Sequence, residues 1–431
     1  MDILSIGILL FSFLLLLAIG MPVAWSIIIS SVFTLLVSVP FIPGLTTIAQ
    51  RMATGIDSFA LLAIPFFILS GELMNRGGVA QRLIAFAKAL VGSLPGGLAL
   101  INIISAMLMG SVAGSAMASA SAMGSILGPE MEKEGYSKGF GVAVNITSAT
   151  TGLVIPPSNI LIVYSLASGG ASIAALFLAG YIPGILTGLF LMIVAMIWAK
   201  KNNIPTRKRA PVSQVFSTFI DAFPSLMLLV VVIGGIVSGI FTATEASAIA
   251  VIYTLILGFI YKEINFNNLS SILLKAASTT AIVMFLIGAS MSMSWVLSFE
   301  NIPEMISSGI MSISDNKIVI LLLINLTLLF IGIFMDMTPA VLIFTPIFLP
   351  VVAELGIDPI HFGIIMILNL CIGLCTPPVG SVLFVGVGVA NTSIQKVLKP
   401  LVPLFIAMVV ALTLVTYIPA LSLWLPSLFN L

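Results

Sequence analysis

Charged side chains are what this sequence has least of. Only 7 % of its 431 residues are Asp, Glu, Lys or Arg, against 60 % that are hydrophobic. A soluble domain carries about 25 % charged residues, so this chain cannot cover a water-facing surface of its size. One histidine excludes a His-rich metal site, and the net charge is +1 with no basic tract suited to nucleic acid. The two cysteines, Cys371 and Cys375, lie four residues apart in an apolar run, a spacing that fits helix packing better than redox or metal chemistry. The sequence has no HExxH, no His beside a plausible Ser or Cys nucleophile, and no GxxxxGK[ST] for nucleotide hydrolysis. No basic segment precedes the first apolar run, which follows Asp2, so residues 3–19 read as a true first helix and not as a cleavable signal.

What is present is apolar sequence in long blocks. Stretches of about 20 apolar residues recur along the chain, each long enough for a roughly 30 Å hydrocarbon core. Backbone groups in lipid must be bonded internally, and the blocks show no alternation, so helices are expected and not a barrel. The fold class that follows is an all-α polytopic membrane protein in a lipid bilayer.

The chain is also internally duplicated. At a constant offset of 221 residues, Pro129 falls on Pro350, Gly135 on Gly356, Ser172-Ile173 on Ser393-Ile394, and the GLxxPP string starting at Gly152 on the one starting at Gly373. Two repeats result, residues 1–199 and 222–431, joined by a polar linker over 200–221. Each reads as three spanning helices (3–19, 22–40, 58–75; 223–240, 245–261, 279–298) and a short amphipathic arm (79–92; 302–313). There follow a long apolar stretch broken by small or polar residues (97–128; 318–350), a helix interrupted at the double proline (139–168; 360–390), and a last span (174–198; 401–424). If the broken stretch is a re-entrant hairpin, each repeat crosses five times and the two are inverted. With the N-terminus outside, fourteen of the sixteen basic residues then face the cytoplasm, Lys275 among them, leaving Arg51 and Lys317 outside, the bias the positive-inside rule requires.

Inverted repeats with discontinuous helices mark secondary transporters, whose sites lie near the midplane at the helix breaks. Pro156-Pro157 and Pro377-Pro378 remove amide donors and free carbonyls, while Gly152 and Gly373 allow backbone shapes closed to other residues. Freed carbonyls with nearby Thr and Ser hydroxyls are hard oxygen ligands suited to Na⁺, and half-helix N-termini beyond each break direct partial positive charge at an anion. The first hairpin tip, Gly110 to Ser125, is a run of small residues that serves either as site lining or as close helix packing. The second, Gly332 to Val341, carries Asp336, an intramembrane carboxylate of the kind usually functional and equally able to cap the following helix. Its offset partner is Ser115. Glu245 reads as a helix-start residue with Thr242 or Thr244 as cap, Glu72 as an interface position, and His361 as a helix boundary.

With the hairpin GSVAGSAMASASAMG, then GLVIPPSN, the FTATEASA segment and GLCTPPVG in this order along the chain, the sequence resembles the large membrane subunit of tripartite ATP-independent periplasmic (TRAP) transporters across essentially its whole length. The resemblance implies an elevator-type transporter of the bacterial inner membrane, coupled to Na⁺. It also implies two partners, a small four-helix membrane subunit and a periplasmic substrate-binding protein, and an organic anion of the sialic acid or C4-dicarboxylate class as substrate. Carried onto this chain, it implies one Na⁺ site at Ser111, Ser115, Ser148, Thr151, Gly152 and Ile155, and a second at Gly332, Asp336, Thr338, Gly373 and Thr376. Substrate would meet Ser111, Ser115, Ser119, Ser158, Asn159, Thr338, Gly380 and Ser381. No arginine lies in a hairpin or break to clamp a carboxylate, which leaves anion selectivity to helix ends, hydroxyls and the delivering protein. A stand-alone symporter of the same architecture is the alternative.

Overall fold

The computed structural model describes residues 2–207, 209–314 and 316–431, without the side chains of residues 2, 3, 111–113 and 313. The described residues form helices and no strands. Eight of the helices are long and apolar enough to cross a membrane.

The first half runs α1 (Asp2–Ala18), α2 (Val23–Leu35), α3 (Phe41–Gly55), a 3₁₀ turn (Phe59–Leu62) leading into α4 (Ala63–Arg76), α5 (Val79–Val91), α6 (Gly97–Ala113), α7 (Ala116–Lys133), α8 (Lys138–Thr151), α9 (Asn159–Ala167) and α10 (Ile173–Lys201). The second runs α11 (Val212–Val237), α12 (Ala243–Ile260), α13 (Phe266–Phe299), α14 (Ile302–Ile313), α15 (Lys317–Phe334), α16 (Met337–Glu354), α17 (Pro359–Gly373), α18 (Ser381–Val389), α19 (Ile394–Tyr417) and α20 (Ala420–Ser427).

Helix starts follow local chemistry, and several recur at the 221-residue offset. Ser115 caps α7 and Asp336 caps α16; Ser137 caps α8 and Asp358 caps α17. In each case the side-chain oxygen accepts from an amide of the first turn that has no intrahelical partner. The breaks fall where the double prolines stand, between α8 and α9 and between α17 and α18.

Four elements depart from expectation. Helix α11 starts at Val212 and not near 223, so it takes up the second half of the stretch expected as linker. Helix α3 was not anticipated, because FIPGLTTIAQRMATG is too polar for a span; it buries only Gly44 and Ile48 and lies along α13. Helix α13 starts at Phe266 and not near 279, since Asn265 and Asn268 build a reciprocal capping box in the polar stretch ahead of the apolar run. Helix α20 is a short C-terminal addition whose Ser422 hydroxyl meets His361 Nδ1 at 2.6 Å.

Two groups of helices position the site. Helices α4 and α13 pack as a wall, with α12 against α4 and with α2 and α3 against α13. They run antiparallel: Arg76 Nη1 donates to Ser271 Oγ at 3.1 Å, and one turn away Lys275 Nζ lies 3.0 Å from Glu72 Oε1. Facing the wall is a cluster in which α6 and α7 pack on α8, and α15 and α16 pack on α17. The halves interlock reciprocally there, α7 against α18 and α16 against α9.

Candidate functional site

Between wall and cluster is a cavity of about 460 Å³. The two interhelical tips reach it through Gly114, Ser115 and Ala116 and through Asp336, Met337 and Thr338. The two breaks reach it through Leu153, Asn159 and Ile160 and through Leu374, Ser381 and Val382. Gly114, Leu153 and Leu374 follow the ends of α6, α8 and α17, and the other residues are the caps or first turns of α7, α16, α9 and α18, so four helix N-termini converge on one space. Ser115 and Asp336 cap their own helices, accepting from Ala118 N at 3.3 Å and Met337 N at 2.9 Å. No side chain caps α9 or α18; at α18 the Val382 amide donates instead to Leu374 O at 3.2 Å. Each helix N-terminus is equivalent to roughly half an elementary positive charge, and amides so arranged bind anions.

The opposite helix ends carry the breaks. At the end of α8, the Thr150 and Thr151 hydroxyls donate to Thr147 O at 3.0 and 2.8 Å, and Ser148 donates to Val144 O at 2.8 Å. At the end of α17, Thr376 donates to Ile372 O at 2.7 Å. A hydroxyl whose proton is spent on a carbonyl keeps its lone pairs for another partner. The chain is drawn tight at both places by glycine. A Cβ on Gly110 or on Gly152 would stand 2.7 Å from the other's Cα, and one on Gly373 would stand 2.5 Å from Gly332 Cα.

The residues expected from the sequence divide accordingly. Ser115, Asn159, Thr338 and Ser381 line the cavity, as does Asp336. Ser119 is fully buried, facing Ala106 O at 3.5 Å, and Ser158 donates to Leu153 O at 2.5 Å behind the break. Gly380 donates its N–H to Ile333 O at 3.1 Å, tying the second break to the end of α15. Gly152 lies against α6 and Ile155 beneath Gly184 of α10. Ser148 is buried, its hydroxyl also 3.3 Å from Asn102 Oδ1. The side chain of Ser111 lies outside the described residues. Glu245 is a helix-start residue, in a capping box with Thr242. His361 ties the start of α17 to α20 and to Thr416 O.

Sequence reasoning missed the wall. Ile64, Ile68 and Glu72 on α4 line the cavity, as do Lys275, Thr279 and Val283 on α13. Each set is spaced by four, so each forms one helix stripe, and that spacing is the signal that could have found them. Two carboxylates, Glu72 and Asp336, and one ammonium, Lys275, are the charged groups among the described lining residues.

Residues 10–421 match the family described as tripartite ATP-independent periplasmic transporter, DctM component. A protein named YgiK from Salmonella typhimurium is 56 % identical over 418 residues, covering 97 % of this chain and 96 % of that one. The sialic acid TRAP transporter large permease protein SiaM of Vibrio cholerae is 38 % identical over 420 residues, covering 97 % and 98 %. Among solved structures, the Alcanivorax borkumensis YdaH transporter shares the fold with a TM-score of 0.67 at 13 % identity, over 90 % of each chain.

Proposed function

This chain belongs to the DctM-component family of tripartite ATP-independent periplasmic transporters, and from that premise we propose that it is a Na⁺-coupled subunit importing a small organic anion. It is a multi-pass membrane protein and a transporter permease, not an enzyme. The observation that carries the substrate class is the convergence of four helix N-termini on one cavity. Sialic acid, the substrate named for SiaM, and C4-dicarboxylates are the candidates.

Cation coupling is supported by charge and by ligand type. An anion entering beside Glu72 and Asp336 meets two carboxylates, and cations bound with it offset that repulsion. The C-terminal ends of α8 and α17, partially negative, offer hydroxyl and carbonyl oxygens of the hard kind that Na⁺ takes. Among the residues proposed to hold it are Thr151, Gly152, Gly373 and Thr376. We extend the proposal to an elevator movement of the tip-and-break cluster along the wall, with the repeats inverted in the inner membrane. A small four-helix subunit and a periplasmic binding protein complete the transporter.

Proteoliposomes supplied with the candidate partner subunit and binding protein test this reading. Sialic acid or succinate uptake requires an inward Na⁺ gradient and persists when the proton gradient is collapsed at constant voltage. Uptake indifferent to Na⁺ overturns the coupling, and full uptake without a partner subunit favours the stand-alone symporter.

A further inference from the structure

The one ammonium among the described residues lining the cavity is held in an unusual way. Lys275 projects from α13 with its side chain 53 % exposed, while Glu72, its partner at 3.0 Å, is 11 % exposed. The second oxygen of Glu72, Oε2, is buried without a hydrogen-bond partner among the described residues. Glu72 is thus a nearly buried carboxylate that positions Lys275 from behind. An ammonium has three donors, and the contact with Glu72 uses one, leaving two for the cavity.

The wall is graded along its length. Antiparallel pairing of α4 and α13 in the register set by Arg76–Ser271 and Glu72–Lys275 brings Ile68 opposite Thr279 and Ile64 opposite Val283. One end is charged, the middle mixed and the far end apolar. The 221-residue offset gives this pair no counterpart: Thr54 stands where Lys275 would repeat and Met293 where Glu72 would. The charged end therefore exists once in the cavity and orients whatever binds, whereas the four helix N-termini come in offset-related pairs.

We propose that Lys275 is the anchor for one carboxylate of the transported anion, with Glu72 as its positioning residue. This rests on the organic-anion reading and adds to it a specific cationic contact on the wall. An ammonium–carboxylate contact is a charge-assisted hydrogen bond, whose loss reduces affinity by at least about tenfold. Glu72 acts in the opposite direction on the ligand: it holds the ammonium, but its own charge repels the anion.

Thermal unfolding of the purified chain in Na⁺ buffer, titrated with sialic acid and with succinate, tests the assignment. Lys275→Gln raises the half-saturating concentration of the stabilising anion at least about tenfold, and Lys275→Arg largely preserves binding. Glu72→Gln, which loosens the ammonium but removes a charge that repels the anion, changes the half-saturating concentration less than Lys275→Gln does. The double variant, which keeps a neutral pair and so leaves no buried charge unpaired, follows Lys275→Gln. Unchanged affinity in Lys275→Gln overturns the proposal. So does equal loss in both single variants with recovery in the double variant, the signature of a purely structural pair. If neither anion stabilises the parent chain, the organic-anion reading itself falls, and this assignment with it.

Discussion

Cys371 and Thr150 are in contact across the two halves of the chain, the Cys371 thiol donating to the Thr150 carbonyl at 3.1 Å. They are separated by the same 221 residues that superpose one double proline on the other. In the inverted arrangement proposed for the halves, a residue touches its own repeat equivalent where the two-fold axis would pass, because that axis maps each onto the other. Cys375 lies one turn further on, its Sγ 3.4 Å from Thr150 Oγ1. Both thiols are fully buried, so they act here as small packing groups between α8 and α17, immediately before the two breaks.

The orientation proposed for these halves is open to labelling, and the buried native thiols keep the background low. The polar linker is held to the end of α7 by Arg207, which pairs with Glu134 and Glu130. A Thr206→Cys variant is expected to be protected from impermeant thiol reagents in intact cells, and an Asn316→Cys variant to react. The reverse pattern would invert the topology.

Glycine at the tip–break contacts is expected to be irreplaceable. Gly152→Ala and Gly373→Ala each force a methyl group against backbone that has no room for it, and overpacking of this kind costs about 1–3 kcal/mol. Both variants should melt at lower temperature. Gly234→Ala is the control: it lies in the last turn of α11 with nothing within 4 Å of the added carbon, and gains up to about 1 kcal/mol from helix propensity. Equal melting temperatures for all three would show that the close approaches relax without cost.

Replacing either double proline by Ala-Ala removes the barrier to a continuous helix, since proline costs about 3 kcal/mol in a helix interior. Carbonyls of the breaks would then be drawn into intrahelical bonds. The Pro156-Pro157 and Pro377-Pro378 variants should both insert normally and melt at or above the parent temperature while losing Na⁺-dependent stabilisation and uptake. Retained Na⁺ coupling in both would remove the breaks from the mechanism.

Glu245 supplies a contrasting case of a charged residue beside a span with a structural role only. Thr242 accepts from Glu245 N at 3.2 Å, and the carboxylate returns to Thr242 N at 2.8 Å. Thr242→Ala should cost roughly 0.5–2 kcal/mol of stability. At temperatures where the variant is folded, uptake and its Na⁺ dependence should be unchanged. A lowered affinity for Na⁺ would contradict this assignment.

What the sequence alone determined is whatever local chemistry controls. Lipid demands internally bonded backbone, so blocks of apolar residues became helices. Caps and prolines act within a turn, so the tips at Ser115 and Asp336 and the breaks at the double prolines were legible to within a residue or two. The arms at 79–91 and 302–313 were equally plain, from helical periodicity. Tertiary structure alone decided which hydroxyls face the cavity: Ser115 does and Ser119, one turn on along the same stripe, does not, because α6 covers it at Ala106. It also decided the pairing of Glu72 with Lys275. These residues are two hundred positions apart and do not obey the repeat, and neither stands in a hairpin or a break. Only the antiparallel register of α4 on α13 brings them together, so the nearly buried Glu72 carboxylate gains its partner only once the two helices are packed.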